Sequence, residues 1–143
     1  MCLSIQPIIN EHFLTLFNNK VHTIKQNEQD AIYAPNINHE DEKINWNNSG
    51  AKIEAQVRAL YDKPIAYSIL EKQIVKIHHV VVTNIRSTKT PGTIENVTKD
   101  MIIVATKDNS IGLKKIQIAG KKPMDVVQIT NGNHPFKIGK IFA

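Results

Sequence analysis

His78 and His79 are the residues of this chain that most readily suggest metal or acid–base chemistry. They are adjacent in a run that predicts a β-strand, where neighbouring side chains point to opposite faces of the sheet. Two histidines placed in this way cannot easily share one metal ion or one substrate. His39-Glu40-Asp41 lies in a polar stretch and lacks a second histidine four residues later, so it does not match a metalloprotease zinc helix. Both groups are interpreted as ordinary strand and surface residues.

Gly120-Lys121 resembles part of a phosphate-binding loop, but the match fails at two positions. Lys115 stands where that motif has its first glycine, and Lys122 stands where Ser or Thr should coordinate magnesium. His22 and His134 are isolated, the chain has no Gly-x-Ser-x-Gly sequence, and the predicted barrel has no paired carboxylates. The sequence therefore predicts no catalytic residue, no metal site and no cofactor in this chain, because no motif combines a nucleophile, a base and an oxyanion site.

A stronger signal comes from basic residues in or beside predicted turns, where ammonium groups would contact phosphates without reading bases. Few aromatic residues interleave with them, which favours binding to the backbone of a folded RNA over base stacking. A solvated loop surface is the alternative interpretation. Arg58 and Lys121 have a structural alternative too, as braces that donate hydrogen bonds to carbonyls. The candidates are Arg58, Arg86, Lys89, Lys114, Lys115, Lys121, Lys122, Lys137 and Lys140.

The charge of the chain is unevenly distributed. Residues 1–50 contain three lysines and six acidic residues, whereas residues 51–143 contain fifteen basic and seven acidic residues, a net +8 within a total of +5. Such asymmetry favours a polyanion partner. Sixteen of the eighteen basic residues are Lys, and Ile and Asn are also abundant, so A/T-rich codon usage is an equally good explanation.

Length and composition favour one domain of ordinary size. The chain has 143 residues, 41% of them hydrophobic, which is too few for a cofactor-binding domain plus a second domain. No apolar stretch is long enough to span a bilayer, and the N-terminus lacks a basic segment followed by an apolar one, so a cytoplasmic protein without membrane contact is predicted. The single cysteine, Cys2, cannot form an internal disulfide.

Two helices are predicted in the first half of the chain. Residues 7–21 place Ile9, Phe13 and Leu16 at helical spacing, which indicates an amphipathic helix. Residues 22–48 are polar and are interpreted as a linker. Ser49 is a suitable N-cap for a helix over residues 51–61, whose apolar residues share one face.

The second half reads as short strands separated by turns, over residues 66–70, 73–83, 93–97, 101–106, 111–118 and 136–142. Between Leu113 and Ile116 the apolar positions switch from odd to even, which predicts a β-bulge at Lys114-Lys115. Residues 123–129 read as a short helix that ends before Gly132. The fold class is mainly β with short helices, a small closed or partly open barrel over residues 49–143.

From about Gln26 to Ile141 the chain resembles the linker and C-terminal domain of methionyl-tRNA formyltransferases. Many ordered matches over most of the chain make this resemblance specific. They are Gln26, Ala31, Tyr33-Ala34-Pro35, Ile37, Glu40-Asp41, Ile44, Trp46, Ile53, Val57-Arg58-Ala59, Pro64, Ala66, Ile77, Pro91-Gly92-Thr93-Ile94, Val104-Ala105-Thr106, Gln117, Ala119-Gly120-Lys121-Lys122, Met124, Gly132 and Gly139.

The resemblance implies an OB-like barrel that helps to hold initiator methionyl-tRNA during translation initiation. In this family a separate N-terminal domain transfers the formyl group from 10-formyltetrahydrofolate, using an Asn, a His and an Asp. This sequence has no trace of that domain's His-x-Ser-Leu-Leu-Pro segment, and residues 1–21 resemble only its last helix. The resemblance therefore implies a tRNA-binding part that is non-catalytic by itself, with Gly120 allowing close backbone approach.

Several alternatives stay open at this stage. The chain is expected to be a fragment of a longer protein or the product of a split or decayed gene, with the catalytic domain supplied by a separately encoded chain in the second case. The second alternative is the C-terminal domain of a related formyltransferase or formyltetrahydrofolate hydrolase that acts on a small molecule. An inactive remnant that associates through its orphan apolar helix is the third alternative.

Overall fold

The computed structural model describes residues 5–18 and 24–143. The chain divides into two compact units, residues 1–35 and residues 36–143. Cys2, His22 and the predicted end of the first helix at residues 19–21 lie outside the described residues. Within the described ranges, no helix is both long and apolar enough to cross a membrane.

The described residues of the first unit form one helix, α1, and a single turn of 3-10 helix. Helix α1 runs Ile5–Phe17 and confirms the helix predicted from residue 7. The rings of Phe13 and Phe17 lie one helical turn apart and stack with their centroids 6.2 Å apart. Both rings are exposed. The 3-10 turn, Glu28–Asp30, begins after Asn27, whose side chain caps it.

The second unit is mainly β with short helices, which confirms the predicted fold class. Its elements, in chain order, are α2 (His39–Glu42), α3 (Gly50–Ala59), β1 (Tyr67–Leu70), β2 (Gln73–Arg86), β3 (Ile94–Val97), β4 (Ile102–Val104), β5 (Asn109–Ile118), β6 (Met124–Asp125) and α4 (Val126–Thr130).

The six strands form one antiparallel sheet in the order β1-β2-β5-β4-β3, with β6 added to β5. The ladders leave the sheet open, so a closed barrel is not formed and the partly open alternative is the one observed. The last residues of the chain connect the two edges of the sheet, through single bridges from Phe142 to Leu70 and from Ile141 to Thr93. The sheet is thus nearly continuous around a single core.

The strand predicted over residues 136–142 is wrong. Only the isolated bridges at Ile141 and Phe142 are present, because the chain turns at Gly139, whose φ is +89°. The helix predicted over residues 123–129 is only partly correct, since Met124–Asp125 pairs with β5 before α4 begins. The backbone N–H of Asp125 donates to the Gln128 side chain at 3.3 Å, which favours starting the helix after Asp125.

The segment interpreted as a linker contributes to the core of the second unit. The side chains of Ile44 and Trp46 are 1% and 4% exposed. The backbone N–H of Ile44 donates to the carbonyl of Tyr67 at 2.8 Å, and the Trp46 indole N–H donates to the Ser68 hydroxyl at 2.8 Å. The second unit therefore begins well before residue 49, at about residue 36.

The indole of Trp46 lies against the C-terminal end of the chain. Its ring stacks on Phe142 at a centroid distance of 5.3 Å. Next to this pair, Gly92 adopts a φ of +89° and its carbonyl accepts a hydrogen bond from the Phe142 N–H at 2.9 Å. A Cβ at residue 92 would lie 2.5 Å from the Phe142 carbonyl oxygen, so only glycine fits here.

Helix α3 forms as predicted and lies over the sheet. The Ser49 hydroxyl accepts a hydrogen bond from the Lys52 N–H at 3.3 Å, which confirms the N-cap. Ile53 and Val57 lie one turn apart on the buried face. Arg58 follows Val57, and its side chain is 74% exposed. The helix thereby fixes the position of one candidate basic residue relative to strand β2.

Candidate nucleic-acid interface

The nine basic residues predicted to contact nucleic acid lie at several levels of the second unit. Arg86 pairs with Asn109 at the start of β5, whereas the turn that carries Lys121 follows Ile118 at the end of β5. About nine residues of strand, roughly 30 Å at ~3.3 Å per residue, separate these levels. The candidates therefore do not gather at one end of the sheet. Arg58 lies on α3, Arg86 and Lys89 at the end of β2 and after it, Lys114 and Lys115 on β5, Lys121 and Lys122 in the β5–β6 turn, and Lys137 and Lys140 near the C-terminus.

Three of the nine form ion pairs with carboxylates: Arg58 with Glu54, Lys114 with Asp100, and Lys140 with Glu71. The Lys114 ammonium donates to Asp100 at 2.5 Å, and the Lys140 ammonium donates to Glu71 at 2.6 Å. The hydrogen bond from Lys114 holds the pKa of Asp100 below its ordinary value, and a second bond from Thr98 acts in the same direction. The side chains of Lys114 and Lys140 are each 29% exposed. Because the carboxylates of Asp100 and Glu71 already neutralise these two ammonium groups, Lys114 and Lys140 are less available to bind a phosphate.

The turn between β5 and β6 presents Lys121 and Lys122 on a backbone held by hydrogen bonds. Gly120 adopts a φ of +77°, and the Lys121 N–H donates to the carbonyl of Ile118 at 2.9 Å. The Gln117 side chain donates to the Lys121 carbonyl at 2.9 Å. Among the described residues, neither ammonium group forms a salt bridge, and both side chains are exposed. Bracing of this turn comes from Gln117, not from the Lys121 side chain.

A paired irregularity interrupts the ladder between β2 and β5. Ile77 pairs with Ile116, His79 with Lys115, and Val80 with Leu113, so His78 is an extra residue on β2 and Lys114 is an extra residue on β5. The bulge predicted at Lys114-Lys115 is confirmed. Its counterpart on β2 breaks the alternation of side chains between the two faces at the histidines.

Because of this irregularity, His78 and His79 line the same cavity, contrary to the sequence interpretation that they point to opposite faces. The cavity has a volume of about 510 Å³ and lies between α3 and the bulged region of β2 and β5. Arg58 and Lys115, two of the predicted basic residues, line it as well. The tertiary structure thus brings together residues that are far apart in sequence.

Gln117 connects this cavity to the lysine turn. One end of its side-chain amide lies 3.4 Å from Nε2 of His78, and the other end donates to the carbonyl of Lys121. The cavity and the turn are therefore neighbouring parts of one surface of the second unit. We call this surface the β5-end surface; it consists of Arg58, His78, His79, Lys115, Lys121 and Lys122.

The sequence also contains a pattern that predicts the bulge at His78 and His79. Buried apolar residues occupy odd positions at Val75 and Ile77 and then an even position at Val80. This is the same phase switch that predicted the bulge on β5, and it falls on His78 and His79. Tyr61 was also missed. It follows α3 by two residues and lines the cavity with 74% of its surface exposed.

The remaining candidates lie elsewhere. Arg86 forms the last pair at the other end of the β2–β5 ladder, Lys89 follows it by three residues, and both are exposed. Lys137 lines a second cavity of about 580 Å³ together with Lys99 and His134. Nδ1 of His134 is buried and has no hydrogen-bond partner in the part of the chain that the structure describes. Within the same described ranges, no group of three or more His, Cys, Asp and Glu side chains is arranged to hold a metal ion.

We expect the stability of the chain to fall as the pH is lowered through and below 6.5, because of His78. Burial lowers the pKa of His78 from its ordinary value of 6.5; the hydrogen bond to Gln117 opposes this, and the charges of Lys115 and Lys76 reinforce it. The unfolded chain then binds this proton more readily than the folded chain, so stability rises with pH in this window. Urea midpoints at about pH 7.5 and 5.5 measure the change. His78→Gln should reduce it; an unchanged pH dependence in that variant would assign the effect to other groups.

The second unit is thus a small, mainly β domain that carries two exposed lysines on the β5–β6 turn. The sequence profile described as "Formyl transferase, C-terminal domain" matches residues 36–134. These limits agree with the second compact unit, residues 36–143. The chain belongs to the formyl transferase C-terminal domain family.

Curated relatives carry a more specific name. The chain is similar to methionyl-tRNA formyltransferases of Malacoplasma penetrans (40% identity over 94% of this chain and 42% of that protein), Ureaplasma urealyticum (37%, 90% and 42%) and Staphylococcus aureus (34%, 93% and 43%). It thus spans about two-fifths of the length of these relatives. Among solved structures, HypX from Aquifex aeolicus in complex with tetrahydrofolic acid matches with a TM-score of 0.60 over 85% of this chain and 22% of that one. At 14% identity, that likeness shows the fold alone.

Proposed function

We propose that this chain is the tRNA-binding part of a methionyl-tRNA formyltransferase and that it holds the backbone of initiator methionyl-tRNA. The family assignment and the names of the curated relatives support the proposal. Formyl transfer from 10-formyltetrahydrofolate belongs, in this proposal, to a catalytic domain elsewhere in a longer protein or in a separate chain. The setting is translation initiation in the cytoplasm.

The observation that carries the proposal is the exposed Lys121-Lys122 pair on a hydrogen-bonded turn. Two ammonium groups on a fixed backbone can contact adjacent phosphates with little ordering of the loop on binding. Such a turn would contact phosphates and not base edges, and phosphate contacts position a protein on a nucleic acid without specifying its sequence. Selection of the initiator tRNA would then reside mainly outside these two residues.

The contact extends along the β5-end surface to Lys115 and Arg58. Arg58 is held by Glu54, whose carboxylate lies 3.4 Å from Nε, and 74% of its side chain stays exposed for a phosphate. Arg86, Lys89 and Lys137 are proposed as further contacts with a long RNA. Lys114 and Lys140 contribute less, because their ammonium groups already pair with Asp100 and Glu71.

We expect salt-sensitive binding of initiator methionyl-tRNA, because each lysine that neutralises a phosphate releases counterions. Titrations at roughly 50 and 200 mM salt should differ by orders of magnitude in affinity if several phosphates are contacted. The tRNA should bind more tightly than an RNA duplex of equal length, because the proposal concerns a folded RNA.

The absence of detectable tRNA binding at the lower salt concentration would refute the proposal for this chain. It would instead favour a domain that only supports an attached catalytic domain, or the tail of an enzyme that acts on a small molecule. Binding that does not change with salt would argue against phosphate contacts by lysine.

A further inference from the structure

The cavity between α3 and the paired bulge combines the three features that a nucleotide needs. Its volume of about 510 Å³ is within the range of ~300–1,000 Å³ that is usual for small-molecule sites. Val57 and Val80, both nearly fully buried, form an apolar floor. Charged groups and an aromatic ring surround this floor. The cavity therefore differs from the turn with Lys121 and Lys122, which offers ammonium groups that can bind phosphates but no surface for a base.

The charge of the cavity favours a single phosphate. Arg58 and Lys115 supply two positive charges, and Glu54 supplies one negative charge 3.4 Å from Arg58. Burial keeps the pKa of His78 below 6.5, so its imidazole is mainly neutral at pH 7. The formal sum of Arg58, Lys115 and Glu54 is +1, which matches one phosphodiester. A multiply charged ligand would leave negative charge uncompensated.

Tyr61 supplies the aromatic surface. Its side chain lines the cavity and is 74% exposed, so the ring is available to a ligand. It follows Arg58 by three residues and sits at the end of α3, where the Tyr61 N–H donates to the Arg58 carbonyl at 3.4 Å. An aromatic ring beside a guanidinium and an ammonium group is the arrangement that holds a base and its phosphate together.

We propose that this cavity binds one unpaired nucleotide of the RNA, with its base on Tyr61 and its phosphate between Arg58 and Lys115. This inference rests on the proposed function and adds a nucleotide pocket to a surface otherwise limited to backbone contacts. Gln117 bonds to His78 in the cavity and to the Lys121 carbonyl of the turn, so an RNA backbone on Lys121 and Lys122 would lie near the cavity. The protein thus recognises a folded RNA that presents an unstacked base near a helical stem.

The test compares two RNA ligands that differ by one nucleotide: a fully paired duplex and the same duplex with a single unpaired nucleotide. Their affinities for the full chain are measured by fluorescence anisotropy at low salt. We expect the bulged duplex to bind at least about fivefold more tightly, which is the lower limit for stacking one base on an aromatic side chain. Tyr61→Ala should remove this preference, so that the bulged and the paired duplex bind with equal affinity. Tyr61→Phe should retain the preference, because the ring is kept.

Tyr33→Ala is the matched control, since Tyr33 is an exposed tyrosine of the first unit at 81% exposure. It should keep the preference for the bulged duplex. Equal affinities of the unaltered chain for both duplexes would overturn the pocket while leaving the proposed function intact. Failure to bind either duplex or the tRNA would instead refute the proposed function. Tight binding of free adenosine monophosphate, with no gain for the bulged duplex, would assign the cavity to a free nucleotide and overturn the RNA assignment.

Discussion

Lys121→Glu combined with Lys122→Glu is expected to reduce the affinity for initiator methionyl-tRNA by at least about tenfold at low salt. Both ammonium groups are exposed on a turn whose backbone is held by Ile118 and Gln117, so the substitution changes charge and leaves the fold in place. Each lysine that contacts a phosphate adds about one unit to the slope of log K against log salt concentration. The slope should therefore fall by about two units in the double variant.

The matched control is Lys52→Glu combined with Lys107→Glu. It changes the net charge by the same amount, at two exposed lysines near the start of β5. Their neighbourhood is fixed by the Lys107 N–H, which donates to the Asn48 carbonyl at 3.2 Å, and by the Gly50 N–H, which donates to Asp108 at 2.9 Å. We expect less than a threefold loss in this control. Similar losses in both double variants would mean that total charge, and not the lysine turn, determines binding.

Trp46→Ala should lower the free energy of unfolding by about 3–5 kcal/mol, as is usual when a large buried aromatic residue is truncated. The indole is 4% exposed, stacks on Phe142 and donates to Ser68. Because a domain of this size is stable by only about 5–15 kcal/mol, the variant should be close to its stability limit. Chemical denaturation followed by circular dichroism measures the loss.

Two further variants separate the contributions of the indole. Trp46→Phe keeps an aromatic ring and loses the N–H group, so we expect a smaller loss of about 1–2 kcal/mol. Tyr33→Ala, at a residue that is 81% exposed, should change stability by less than about 0.5 kcal/mol. A loss below about 1 kcal/mol for Trp46→Ala would show that residues 36–48 do not contribute to the fold as their burial indicates.

The regular elements near α3 and β5 could be predicted because their signals are local. Ser49 precedes apolar residues at helical spacing, and the helix begins there. The change from odd to even apolar positions between Leu113 and Ile116 predicted a bulge, and the ladder contains one. Both signals depend on periodicity within about ten residues, which follows from the geometry of helices and strands.

The core role of Ile44 and Trp46 could not be predicted in the same way. They are single apolar residues in a polar segment, with no period to reveal which face they present. Their burial depends on Tyr67 and Ser68, more than twenty residues later, and on Phe142 at the end of the chain. The predicted final strand failed for a related reason, because the turn at Gly139 and the edges available to Ile141 and Phe142 are properties of the folded sheet.

By itself the sequence determined the mainly β fold with short helices, the basic character of the second half and the family to which the chain is similar. Only the tertiary structure decided which basic residues are available and which are paired. Lys140 pairs with Glu71, 69 positions away in sequence, and Arg58 and Lys115 line one cavity with His78 and Tyr61. Patterns of residue spacing predict structure only within one helix or one strand. An ion pair or a cavity forms where elements that are distant in sequence pack together. For that reason the β5-end surface emerged only from the packing of α3 over the paired bulge of β2 and β5.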